Sequence, residues 1–156
     1  MINAGGDYSF SGIVYTARDA ATRRMLSENK YPFDMNGAFI YFAGPTDAPE
    51  GSVIGAIGPT TSGRMERYIP RLLELGVRGF IGKGGFSDAT AEAIAEHGAV
   101  YLCAVGGAGA LYADCVKSAE VIAYPELGCE AVRKLEVVDM PLICGIDSEG
   151  KSVFCK

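Results

Sequence analysis

Histidine is almost missing from this chain. The single His97 among 156 residues stands at an expected helix end beside Gly98, where a C-terminal cap interaction explains it. A hydrolase built on a Ser–His or Cys–His pair is therefore disfavoured. An excess of basic residues is also lacking. The formal net charge of −5 argues against a nucleic-acid binder, which normally presents a basic face. A few buried cations inside an acidic shell would still suit an anion-binding enzyme. Long apolar runs are absent too. The longest uncharged stretch, His97 to Ala113, is broken by Gly98, Gly106, Gly107 and Gly109. It reads as a strand, a turn and a helix start, not as a membrane span. Met1–Phe10 has neither a basic start nor an apolar core, so no export signal is expected. Cys103, Cys115, Cys129, Cys144 and Cys155 form no C-x-x-C pair. Their odd number points to reduced thiols in the cytoplasm. With no three at metal-site spacing they read as core residues, and no metal site is expected in this chain.

Glycine is plentiful: 21 residues, with no collagen-like period. It gathers in short clusters beside Thr, Ser, Arg and Lys, where a backbone can approach a ligand closely. Hydrophobic residues at 49% and charged residues at 21% are ordinary for a soluble globular protein. The length suits one domain, residues 1–156, with a sizeable core.

Strands are expected at Tyr8–Ile13, Ala38–Ala43, Ser52–Ile57, Gly79–Ile81, Ala99–Ala104 and Leu142–Ile146, with extended segments at Val116–Ala123 and Leu135–Val138. Helices are expected over Thr16–Asn29, capped by Thr16, and over Asp88–His97, capped at Ser87 or Asp88. Two more are expected, one from Thr60 or Thr61 to Leu75 with Pro70 kinking or splitting it, and one over Ala108–Asp114. Asp147–Gly150 has hairpin-turn chemistry that would lead Ser152–Phe154 back alongside. Strand–helix alternation followed by antiparallel material predicts an α/β domain with a mixed sheet.

Three places could carry chemistry. Gly58-Pro59-Thr60-Thr61-Ser62-Gly63-Arg64 joins a strand to a helix and offers free N–H groups, three hydroxyls and a guanidinium, a set that suits a carboxylate or phosphate. A plain capped helix with an exposed Arg is the competing reading. Gly82-Lys83-Gly84-Gly85 also follows a strand and frees Lys83 for a ligand, unless it is a mobile surface turn. It lacks the spacing of a Walker A loop. Arg18 sits near a helix N-terminus, a poor place for a cation unless an anion lies beside it, though many such arginines are simply solvated. Gly106-Gly107-Ala108-Gly109 lacks the rest of a dinucleotide fingerprint and reads as close helix packing. The chain thus offers cations without an evident base or metal, half of an active site.

The runs SGIVYTARDAATRR, IGAIGPTTSGRMER, GVRGFIGKGG, HGAVYLCAVGGAGALYA and ELGCEAVRKLEVVDMPLI strongly resemble the β subunit of class I fumarate hydratase and the C-terminal domain of its single-chain members. They resemble the β subunit of L(+)-tartrate dehydratase more distantly. The resemblance covers nearly the whole chain. It implies a swivelling β/β/α domain and a hydro-lyase of the tricarboxylic acid cycle interconverting fumarate and (S)-malate, active only with a partner. It implies an α subunit that holds a four-iron, four-sulfur cluster on its own cysteines, a hetero-oligomer, with a homodimer open to the isolated chain. The family's substrate-holding residues would fall on Arg18, Thr60, Arg64 and Lys83, with Thr61 beside them, Arg64 and Lys83 being the catalytic pair. No membrane or nucleic-acid partner is implied. Two departures stand out. Relatives carry His where this chain has Thr22, and they carry further residues ahead of the Gly6-Asp7 turn, whose loss would expose a sheet edge unless another chain covers it. Gly63 favours fumarase over tartrate dehydratase. The alternatives are a non-catalytic dicarboxylate-binding homologue and a dehydratase for tartrate or another hydroxy-diacid.

Overall fold

Aromatic and β-branched residues at alternating positions build the centre of the molecule. The computed structural model describes residues 3–59, 62–104 and 109–154. Its strands are β1 (Asp7–Thr16), β2 (Phe39–Tyr41), β3 (Gly79–Gly82), β4 (Val100–Cys103), β5 (Val116–Ala123) and β6 (Val132–Ile146). Its α-helices are α1 (Asp19–Glu28), α2 (Ile69–Glu74), α3 (Asp88–Glu96) and α4 (Gly109–Cys115). The strands form one mixed six-stranded sheet in the order β1-β2-β3-β4-β6-β5. Pairing is parallel from β1 to β4 and antiparallel where β6 joins β4 and β5. Because β6 also pairs antiparallel with β1, the ladder returns on itself and β5 flanks the ring.

A strand sends successive side chains to opposite faces, and here each face feeds its own core. Ile40, Phe42, Phe80 and Tyr101 point into a cluster closed by Ala21 and Met25 of α1, Leu72 and Leu73 of α2, and Ile94 of α3. Their neighbours Tyr41, Ala43, Ile81 and Leu102 point the other way, against Val14, Leu135, Met140 and Tyr112 of α4. Each such large side chain contributes about 1.5–3 kcal/mol by leaving water. Helix α3 starts as expected, with Ser87 Oγ accepting from Thr90 N. His97 closes that helix, its Nδ1 2.9 Å from Ala93 O.

Several expectations need correction. Thr16 does not cap α1. It ends β1, where its hydroxyl accepts from Arg133 N at 3.1 Å and donates to Ala131 O at 3.4 Å. Arg18 holds the N-cap position, without a side-chain cap. Ser52–Ile57 is not a strand and takes no place in the sheet. Near its end Ala56 O instead accepts from Thr46 N of the preceding loop at 2.9 Å. The helix expected before Leu75 is a 3-10 turn over Ser62–Tyr68 followed by α2, and Pro70 in the first turn of α2 marks the split. Its expected start, Thr60 or Thr61, lies outside the described residues, as do Val105 to Ala108. Leu135–Val138 and Leu142–Ile146 belong to one strand, β6. The interruption read between them is real, since Asp139 has φ of 51° and the register with β1 shifts opposite it. Ser152 returns to bridge Ile146, as expected. No described helix is long and apolar enough to cross a membrane.

Candidate functional site

Parallel strands deliver their following loops to one edge of the sheet, the edge where ligands of α/β sheets bind. Arg18 comes just after β1, the loop to residues 58–64 follows β2, and Lys83 comes just after β3. These strands are immediate neighbours, so the topology brings three distant stretches of sequence to adjacent positions.

Ser62 fastens two of them together. It is fully buried, and its backbone N–H donates to Lys83 O at 2.7 Å. Its Oγ accepts from Lys83 N at 2.9 Å and lies 3.0 Å from Tyr101 Oη. The same tyrosine hydroxyl donates to Gly84 O at 2.7 Å. Burial drives the Tyr101 phenol far above its ordinary range, so it stays a neutral donor. Gly82 is required here, because a Cβ would sit 1.9 Å from Ser62 Oγ. At the other end of the segment Ile57 N donates to Gly109 O at 3.0 Å. A Cβ on Gly109 would stand 2.9 Å from Gly58 N.

Arg18 and Arg64 line one cavity of about 220 Å³ with Asp19, Ala20, Arg23, Met65 and Glu130. A second opening beside it shares Asp19 and Arg64 and adds Gly63 and Arg67. The carboxylates there are already engaged. Asp19 accepts from Tyr68 Oη at 2.5 Å and Arg67 Nη2 at 2.8 Å. The tyrosine hydroxyl first, and the guanidinium next, hold its pKa below the ordinary value. Glu130 Oε1 accepts from Ala20 N at 3.3 Å. Arg67 is thereby paired, whereas Arg23 and Arg64 have no hydrogen-bonded or ion-paired partner among the described residues, and Arg18 meets only Cys129 Sγ, at 3.8 Å. Guanidiniums left unpaired around a concavity present a planar, bidentate surface to an anion.

Of the residues chosen from sequence, Arg18 and Arg64 thus meet in one cavity. Lys83 is exposed and is not part of that lining, but its backbone is bonded to Ser62, two residues before Arg64. Thr60 and Thr61 are outside the described residues. Thr22 is fully buried with an unpartnered hydroxyl among those residues, and it does not line the cavity. Sequence reasoning missed Arg23 and Glu130. The first looked like an ordinary helix former. The second comes from 110 residues further on, and no local pattern marks it. Among the described residues no three of His, Cys, Asp or Glu come together as metal ligands. These residues do not fit an iron–sulfur cluster.

Fold and site together define an α/β domain that presents unpaired cations at the carboxyl edge of its parallel strands. Comparison with known proteins then places it: residues 2–156 match the family described as Fumarase C-terminus, and the chain belongs to that family. It is 38% identical over 94% of its length to the aerobic class I fumarate hydratase of Escherichia coli K12, and 37% identical over 94% to fumarate hydratase 2 of Leishmania major. It spans only 28% and 27% of those two proteins. It is also 37% identical to a protein of Methanocaldococcus jannaschii provisionally named L(+)-tartrate dehydratase subunit beta, covering 98% of this chain and 84% of that one.

Proposed function

We propose that this chain is the small subunit of a hydro-lyase that interconverts fumarate and (S)-malate. In this reading it supplies carboxylate-holding cations to a site completed by an α subunit, and its sheet with flanking helices acts as a swivelling β/β/α domain. The observation that carries the reading is the cavity shared by the unpaired guanidiniums of Arg18 and Arg64. Removing a proton next to a carboxylate pushes negative charge onto that carboxylate, and fixed cations stabilise it as it develops. Arg64, and Lys83 from the adjoining loop, take this role, with Arg18, Thr60 and Thr61 orienting the diacid.

Elimination of water also needs a base and a Lewis acid at the leaving hydroxyl. His97 is bonded to its own helix, and the cavity's carboxylates already accept hydrogen bonds. In this reading the partner would hold a four-iron, four-sulfur cluster that supplies the Lewis acid, together with further catalytic groups. The length match with the Methanocaldococcus protein, named as a β subunit, supports a two-subunit arrangement and favours tartrate as the second substrate to examine.

The test is anaerobic co-expression with an α subunit of a class I fumarate hydratase, followed by assays with fumarate, (S)-malate and the tartrate isomers. Turnover of fumarate and malate by the pair, and none by this chain alone, is expected. Dicarboxylate binding by the pair without turnover of any hydroxy-diacid would instead identify a non-catalytic homologue, a reading that Thr22 keeps in view. Robust hydration by the isolated chain would refute the shared site.

A further inference from the structure

Arg18 does not hold its own position. It begins α1 with extended backbone and no side-chain cap, and its side chain makes no ion pair among the described residues. The groups that reach it and the helix turn beside it come from far along the chain, the segment Tyr124–Glu130 leading into β6.

That segment lies along α1 like a strap. At its start Arg24 of α1 stacks over the Tyr124 ring at 4.3 Å and pairs with Glu126. At its end Cys129 Sγ lies 3.8 Å from Arg18 Nη1, and Glu130 Oε1 accepts from Ala20 N. Glu130 thus satisfies one of the N–H groups that a helix start leaves open. The strap's shape is set from both sides. Arg133 of β6 donates to the carbonyls of Gly128, Cys129 and Ala131 at 3.1, 3.4 and 3.3 Å. Gly128 breaks the turn with φ of 63° and ψ of −120°. Opposite, Gly44 leaves room for the strap, since a Cβ there would stand 2.2 Å from Cys129 O and 3.3 Å from Arg18 Cδ. Backbone, not a movable side chain, meets that Cβ, so the fit is a tight one.

We infer that the Tyr124–Glu130 strap is the positioning element of Arg18, with Glu130 as its principal positioning residue and Gly44 as the space that lets it dock. This deepens the functional reading above and rests on it: Arg18 is useful to a diacid only where the strap puts it. Glu130 acts by reach, through an acceptor oxygen at Ala20 N, and not by charge.

Two conservative variants separate reach from charge. Glu130→Gln keeps an acceptor at the same distance without the charge, and Glu130→Asp keeps the charge one methylene short. In the complex with the α subunit, E130D and Gly44→Ala are expected to lower kcat/KM by about ten- to a hundredfold, the scale of losing a substrate-orienting contact. Most of the loss should be in KM, and E130Q should recover most of the activity. A second readout needs no activity. In the isolated chain, alkylation of Cys129 should speed up in E130D and G44A and stay near the wild-type rate in E130Q. Wild-type kinetics and alkylation in E130D and G44A, beside an inactive Arg18→Ala, would overturn the strap while leaving the functional reading intact. So would E130Q failing as badly as E130D. Full turnover by R18A would overturn both.

Discussion

Ser62 and Gly82 offer a direct check on how the two cationic loops are joined. Ser62→Ala removes the oxygen that accepts from Lys83 N and meets Tyr101 Oη. Tyr101 retains Gly84 O, so the net loss is about two ordinary hydrogen bonds, roughly 2 kcal/mol. For a chain of this size that lowers the thermal midpoint by about 4–8 °C. Gly82→Ala puts a methyl 1.9 Å from the same oxygen and 3.2 Å from Phe42 Cδ2. It must drive Ser62 Oγ away, losing both bonds and adding overpacking, for about 3 kcal/mol. The two effects share one atom, so they cannot add. The double variant, with no oxygen left to strike, should be destabilised by about 3 kcal/mol and not by the roughly 5 kcal/mol that additivity predicts. Urea unfolding of the four proteins gives the coupling directly. Additive losses would refute the placement of Ser62 Oγ against Gly82, and with it the fastening of the Lys83 loop to the Arg64 segment.

Other outcomes are equally specific. The Asp19 carboxyl titrates below its ordinary value of 3.8 because of Tyr68 and then Arg67. Its contribution is therefore complete above that pH and fades as pH falls through the folded-state value. At 38% side-chain exposure the contribution is only about 0.5 kcal/mol. Wild type should thus exceed Asp19→Asn in stability by that amount at neutral pH, the gap closing as pH falls through the lowered folded-state value. A gap that persists into acid would show that charge is not its source. Glu66 accepts from Ser87 N at 2.6 Å and Thr90 Oγ1 at 3.0 Å. Glu66→Ala should cost about 1–2 kcal/mol by unfastening α3, and a neutral result would contradict these bonds. Gly109→Ala pushes a methyl onto Gly58 N and should cost about 1–3 kcal/mol in denaturant unfolding, whereas a stabilised variant would disprove that close approach.

What could be read from the sequence was what local chemistry decides. The run Ala38–Ala43, bounded by glycines, became β2 with its flanks, and the Ser87 cap followed from a side chain three residues from its partner. Thr16 was misread because it too resembles a cap, while its actual partner Arg133 is 117 residues away. Ser52–Ile57 had the composition of a strand but takes no place in the sheet. The cations divide in the same way. Arg18 and Arg64 announced themselves by standing at loop–helix junctions, where a packing role is hard to find. Arg23 hid inside a helix, and Glu130 acquires meaning only when β6 brings its loop back over α1. Local signals therefore picked out two of the cavity's arginines, whereas the contacts around them, such as Glu130 with Ala20 N, are non-local.

Arg64 and Lys83 are proposed to stabilise charge on a dicarboxylate at a site shared with a partner. The most direct test of that role is kcat/KM for fumarate hydration by the reconstituted two-subunit complex carrying Arg64→Ala or Lys83→Ala. Each variant should lose at least about 10²–10³-fold with an unchanged thermal midpoint, since neither side chain has a partner among the described residues. Values within about threefold of wild type for both would contradict the account.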